Sequence, residues 1–295
     1  MKLKKIAKVE SGQDVAIFGG YLFDFVAHGI CLGEVSVYEM EAIRSAGGEE
    51  LEPICRFIVG GTDRIIPHAN AVFFGNEYYE EGDEFPLLYA NVYNTYAKAE
   101  NRREGILLVY RVHREGKTFS ADFVQAISIG FVEDREMWKS CEGNGDVRPY
   151  GNFIADLDKN ILYAFVMRDK PYNTRYYSFR LPGAREGEFD RELGVPNKML
   201  TPSDVIDYFD TDYHRTLQGA CVHNGIIYSV EGGSQRPGQR HAAGLRIILP
   251  EEKRLSLYQC MWDLGISEEP EGIEFYEDVC YYVAGHGDTY IIDFD

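Results

Sequence analysis

The chain has 295 residues, 45% of them hydrophobic, so it can bury a substantial core and does not have the composition of a disordered protein. Its 48 Asp and Glu against 30 Lys and Arg leave a net charge of −18. That balance excludes the basic footprint a nucleic acid needs and sets the chain against an anionic membrane surface.

Met1–Asp14 begins basic, but no apolar stretch of signal-peptide length follows, and no run in the chain approaches the roughly 20 residues of a membrane span. A cytoplasmic location is the expectation. Short apolar runs broken by Gly, Asn and Asp then dominate, with 21 Tyr and 17 Phe among them, which predicts many antiparallel strands. Val15–Phe18, Tyr21–Phe25, Glu34–Tyr38 and Ile54–Ile58 form a first unit. His68–Phe74, Leu87–Tyr93, Ile106–Arg111 and Phe123–Ile127 form a second. Tyr150–Ala155, Ile161–Phe165 and Arg175–Phe179 form a third. The stretch Thr201–Phe209, with Thr201 as N-cap and Pro202 at the first turn, predicts one short connecting helix. Gln218–Val222, Ile226–Val230, Leu245–Leu249 and Leu255–Tyr258 form a fourth unit.

A fifth unit, Glu269–Phe275, Val279–Val283 and Thr289–Phe294, stops one strand short. Leu3–Val9 is the unpaired strand at the other end. The predicted fold is therefore all-β: one domain over 1–295, a five-bladed β-propeller closed by pairing of the N-terminal strand with the last blade. A pair of β-sandwiches is the rival arrangement. The polar stretches Tyr96–Glu104, Gly183–Phe209 and Ser234–His241 are expected to be surface loops. The six cysteines, Cys31, Cys55, Cys141, Cys221, Cys260 and Cys280, contain no CxxC pair and are expected as free thiols.

In a propeller the first strand of each blade lines the central channel, so residues at its start converge on one face. Here those positions are Gln13 and Asp14, His68 and Asn70, Arg148 with Tyr150 and Asn152, Gln218, and Glu269 with Glu271. Convergent polar groups in a concave place define a candidate binding site. Strand alternation is expected to put His68 and Asn70 on one face, and Glu269, Glu271 and Phe275 on another. His68 and Glu271 are the candidate acid/base groups. Asn70, Arg148, Tyr150, Asn152, Gln218 and Glu231 are candidate ligand contacts, Arg148 as an anion clamp and Tyr150 as a sugar-stacking ring. Glu269, Glu271 and Asp14 are candidate ligands for Ca²⁺ or Mg²⁺. No P-loop, GxGxxG or GxSxG pattern is present.

The Glu271–Phe275 run, E-G-I-E-F, resembles the C-terminal run of calcium-dependent nucleotidases. That resemblance implies a propeller with a central Ca²⁺ held by polar residues at the blade starts, and hydrolysis of nucleoside diphosphates. Gln218-Gly219 and Glu269-Pro-Glu-Gly272 also resemble the Q-G and late E-P-E-G strands of a bacterial five-bladed propeller family, a likeness that brings no activity with it. The expected function is a channel-mouth site that binds, and in one version hydrolyses, a glycan or a phosphorylated small molecule. A non-catalytic propeller that binds carbohydrate or peptide is the alternative, and an interaction scaffold is the third.

Overall fold

The computed structural model describes residues 1–10, 12–26, 33–92, 103–132, 135–138, 149–166, 168–214, 217–232 and 243–295. The chain starts with β1 (Lys2–Lys8) and enters blade one: β2 (Gly12–Phe18), β3 (Tyr21–Val26), β4 (Glu34–Glu39), helix α1 (Met40–Ser45) and β5 (Cys55–Ile58). Blade two is β6 (Val72–Phe74), β7 (Leu88–Asn91), β8 (Gly105–Glu115) and β9 (Thr118–Ile129). Blade three is β10 (Tyr150–Asp156), β11 (Ile161–Val166) and β12 (Arg175–Arg180), then an excursion through β13 (Glu188–Asp190) and β14 (Val195–Leu200), then β15 (Val205–Asp210). Blade four is β16 (Leu217–His223), β17 (Ile226–Glu231), β18 (Gly244–Leu249) and β19 (Arg254–Cys260). Blade five is β20 (Pro270–Tyr276), β21 (Val279–Ala284) and β22 (Asp288–Asp293). These make five sheets, four of four strands and one of six, in which β13 and β14 are added to the outer edge of blade two.

Period-two alternation explains why blades stack into a ring. Successive residues of one strand go to opposite neighbours, so each sheet is apolar on both faces. Phe74 and Leu108 pack toward blade one, whereas Phe73 and Leu107 pack toward blade three. Tyr281 packs against blade one and Tyr282 against blade four. The buried apolar residues fall into five clusters, one per interface between adjacent blades, which is the packing of a closed five-membered ring.

β1 closes that ring. It pairs antiparallel with β22, Lys2 opposite Asp293 and Lys8 opposite Asp288, and becomes the outer strand of blade five. Ile6, Ala7 and Val9 are buried in the interface with blade one. The Val9 amide donates to the Gly287 carbonyl at 2.9 Å, and Lys5 Nζ meets Asp288 at 2.6 Å. Gly287 has φ +85°, and an added Cβ would lie 1.9 Å from the Val9 carbonyl oxygen, so only glycine fits beside the returning chain.

The structure corrects two expectations. Thr201–Phe209 is not a helix: Pro202–Asp204 is a single 3₁₀ turn capped by Thr201 and Asp204, and Val205–Asp210 is the outer strand of blade three. Tyr208 and Phe209 pair with Tyr177 and Tyr176, and β-favouring residues in a row prefer that pleated surface to a helix. Gly183–Phe209 is also not wholly a loop. Within it β14 runs parallel to β9 and extends the sheet of blade two to six strands. Leu193 and Val195 at the tip of this excursion join the core between blades one and two, and Arg64 donates to the Leu193 carbonyl at 3.0 Å. Tyr96–Glu104 and Ser234–His241 lie almost wholly outside the described residues. Cys55, Cys221, Cys260 and Cys280 are free thiols, while Cys31 and Cys141 lie outside the described residues. Among the described residues no helix is long and apolar enough to cross a membrane.

Candidate functional site at the blade starts

The inner strands β2, β10, β16 and β20 each carry a register shift near their first residues: at Gly12/Asp14, Tyr150/Asn152, Leu217/Ala220 and Pro270/Gly272. In blade two the chain before β6 makes one bridge, His68 to Val92, and a turn in which the Asn70 amide donates to the His68 carbonyl. Each irregularity inserts a residue at the mouth and re-aims its side chain, the usual work of a β-bulge at a rim. Gln13, Gly151 and Glu271 occupy these extra positions, as does Gln218-Gly219.

The re-aimed groups meet across the axis. Asn70 Nδ2 donates to Gln218 Oε1 at 2.8 Å, and Gln218 Nε2 donates to Glu269 Oε1 at 2.7 Å. Asn152 Nδ2 donates to the Gln218 carbonyl at 2.6 Å and the Asn70 carbonyl at 3.2 Å. His68 Nε2 is 2.7 Å from Gln13 Oε1. Residues more than 140 positions apart thus share one polar mouth, with amides joined to a carboxylate in series.

Below the mouth Asp14 is buried among the inner strands. The Asp14 side chain is 1% exposed, and its Oδ2 accepts the Val72 amide at 2.8 Å. Its Oδ1 would lie within 2.9 Å of a Cβ added to either Gly219 or Gly272, so glycine at both positions lets blades four and five close on the carboxylate. Burial pushes the Asp14 carboxyl well above its usual range, and Glu274 and Glu271 add to the shift. Glu271 is 7% exposed and is also pushed well up, first by burial and then by Glu269 and Asp24.

Several site residues stand elsewhere than the sequence suggested. Tyr150 is 0% exposed and packs against Phe131 and Tyr177 between blades two and three, so its ring offers no face to a sugar. The bulge at Gly151 is the cause: it sends Asn152 to the axis and Tyr150 into the core. Glu231, at the end of β17, pairs with Arg246 at 3.0 Å on the flank of blade four, where Arg246 also meets Asp212. His68 and Asn70 do not share a strand face, since no strand runs through them: they reach Gln13 and Gln218 separately. The bulge at Glu271 breaks the parity expected of Glu269, Glu271 and Phe275, burying Glu271 and leaving Glu269 exposed. Arg148 lies outside the described residues.

Two residues of the site went unread. Asn91, 0% exposed in β7, accepts the Ala71 amide at 2.9 Å and donates to Asn152 Oδ1 at 3.1 Å and to the Gly151 carbonyl. Asp24 in β3 is also fully buried, with neither oxygen hydrogen-bonded, and lies where any Cβ on Gly12 would strike it. A polar residue inside an apolar run, as in Leu87-Leu-Tyr-Ala-Asn-Val and Tyr21-Leu-Phe-Asp-Phe, is the signal that marks both.

A central Ca²⁺ or Mg²⁺ would take oxygen ligands. Asp14 Oδ1, Asn70 Oδ1 and Glu271 Oε2 are buried acceptors with no hydrogen-bond partner, which is suitable chemistry. Among the described residues, however, no group of three or more His, Cys, Asp or Glu is placed to hold a metal ion. The described carboxylates therefore do not by themselves form a cation cage.

Fold and mouth together define a five-bladed β-propeller with a polar blade-start site. No family model and no curated protein matches the sequence. Among solved structures, the chain is similar to an exo-β-1,3-galactanase from Clostridium thermocellum, at 9% identity and TM-score 0.46, covering 98% of this chain and 62% of that one. It is similar to a second exo-β-1,3-galactanase, from Phanerochaete chrysosporium, at 10% identity and TM-score 0.45, covering 99% and 64%. Hydrazine synthase of Kuenenia stuttgartiensis gives 12% identity and TM-score 0.43, covering 92% and 61%. The chain thus spans less than two thirds of the length of these three structures, and likeness at this level concerns the fold alone.

Proposed function

We propose that the blade-start mouth binds a carbohydrate. The supporting observation is the series Asn152, Asn70, Gln218 and Glu269, flanked by His68 and Gln13, in which amide, imidazole and carboxylate groups stand together. Sugar hydroxyls both donate and accept, and such a set answers both roles. A phosphorylated ligand would have to enter beside the exposed Glu269 in a chain of net charge −18, which favours a neutral saccharide over an anion.

Hydrolysis is the finer form of this proposal. It is favoured by the unequal setting of two carboxyls: Glu271 is buried, with Oε2 unpartnered, whereas Glu269 is exposed. Burial favours the protonated form of Glu271, the state of a general acid, and the exposed Glu269 would take the proton of an attacking water. In that reaction Glu271 protonates the leaving oxygen as the glycosidic bond breaks, and water completes the new hydroxyl.

Calorimetric titration with neutral oligosaccharides and their phosphorylated counterparts, with and without Ca²⁺, tests both levels. Neutral saccharides should bind, and Gln218→Ala should weaken them by about tenfold without loss of folded protein. Binding confined to the phosphorylated sugars, or indifferent to Gln218→Ala, overturns the carbohydrate site. Turnover abolished in Glu271→Gln with binding retained supports hydrolysis. Binding without turnover in the wild type removes hydrolysis and leaves a lectin-like propeller. Ca²⁺ or Mg²⁺ as an occupant rests on the orphaned oxygens of Asp14, Asn70 and Glu271, and no heat on Ca²⁺ addition removes it.

A further inference from the structure

The far end of the axis holds a second, separate feature. Beyond Asp14, the C-terminal halves of the inner strands line a cavity of about 50 Å³. Its walls include Phe73 of β6, Ile154 and Ala155 of β10, and Cys221 and Val222 of β16. Into this apolar lining blade five brings a single carboxyl, that of Glu274. The Phe275 amide donates to Glu274 Oε1 at 2.8 Å, which fixes how the carboxyl sits.

We propose that this lower cavity is a binding site for a small primary alkylammonium ion, with Glu274 as its counter-charge and the aromatic and aliphatic walls as the seat of its alkyl group. The space admits roughly one or two heavy atoms beyond a bound water's share, which shuts out a sugar. A carboxyl in apolar surroundings favours its neutral form, and an arriving cation that pairs with it favours ionisation. A metal ion would require several more oxygens than Glu274 supplies. An ammonium donates N–H groups to the carboxyl, and its methyl or ethyl group meets the apolar walls.

Desolvation pushes Glu274 up to about 8, so the amine must displace a proton below that pH. The titratable groups facing Glu274 are Asp14 from β2, Cys221 from β16 and Cys280 from β21, all held upward mainly by burial, which disfavours their charged forms. β6 and β10 present Phe73, Phe74, Ile154 and Ala155 to the cavity.

Calorimetry with methylammonium chloride on the full chain, at pH 6 to 9, is the test, with sodium chloride and methanol as controls. Affinity should rise about tenfold per pH unit up to about pH 8 and then level, because one proton leaves Glu274 per amine bound. Glu274→Gln should abolish binding. Ala155→Leu, which fills the cavity and keeps the carboxyl, should do the same and serves if the first variant fails to fold. Absence of binding at pH 9, equal binding of methanol, or binding unchanged in either folded variant overturns the proposal. None of these outcomes bears on the sugar site, which lies at the opposite end of the axis.

Discussion

The Val72 amide of blade two donates to Asp14 Oδ2 of blade one at 2.8 Å, and the other carboxylate oxygen rests against Gly219 and Gly272 of blades four and five. One side chain therefore touches four of the five blades at the axis. A buried group with such reach acts as a keystone.

Asp14→Ala should destabilise the protein by about 1–3 kcal/mol, since it leaves the buried Val72 amide without an acceptor. Asp14→Asn keeps an acceptor oxygen and should lose less. Urea denaturation followed by tryptophan fluorescence measures both. Equal losses in the two variants would mean that shape, not the hydrogen bond, matters there.

Stability should fall as pH rises from about 4.5 to 8. Glu274, Asp14 and Glu271 have folded-state values raised above their unfolded ones. Below the unfolded values both states hold the proton and nothing is lost. Above them the unfolded chain ionises first, which draws the equilibrium toward it until the folded group also ionises. Glu274→Gln should remove the portion of the slope that ends near pH 8. Denaturation midpoints across that range check this, and an unchanged slope in the variant would contradict it.

His214 has the opposite sign. Burial pushes it down to about 3, and Arg246 adds to the effect, so the folded imidazole stays neutral while the unfolded one charges below about 6.5. Its contribution is present above 6.5 and is lost as pH falls toward 3. The nitrogen chemical shifts of His214 should show no titration between pH 7 and 5. A midpoint near 6.5 would mean that the imidazole is open to water.

Deleting residues 1–10 should cost several kcal/mol, because β1 takes Ile6, Ala7 and Val9 out of water and covers the edge of β22, at about 25 cal/mol per Å² of apolar area. A thermal midpoint equal to that of the full chain would show that the ring closes without its velcro strand.

Much of the architecture could be read along the chain. Tyr21-Leu-Phe-Asp-Phe and Ile226-Ile-Tyr-Ser-Val show their strands directly, and the strand missing after Thr289–Phe294 pointed to Leu3–Val9. The site was legible only as a set of positions. His68, Asn70, Asn152, Gln218, Asp14 and Glu271 do gather at the axis, but Tyr150 and Glu231 do not face it. Counting odd and even residues failed at Glu271, and Tyr150 turned from the mouth, for one reason: a single inserted residue inverts the parity of everything before it.

The sequence by itself determined the strand-rich fold, the number of inner-strand starts, the acidic surface and the pairing of the two chain ends. These rest on period-two alternation, turn residues and composition, which are local properties. Only the tertiary structure decided which oxygen of Asp14 meets Val72, that His68 partners Gln13, that β14 crosses back to β9, and that Glu274 lies alone in an apolar cavity. Those outcomes depend on how closely five twisted sheets approach one axis. That distance is set by glycines such as Gly219 and Gly272 acting between blades, a relation that no segment of the chain contains on its own.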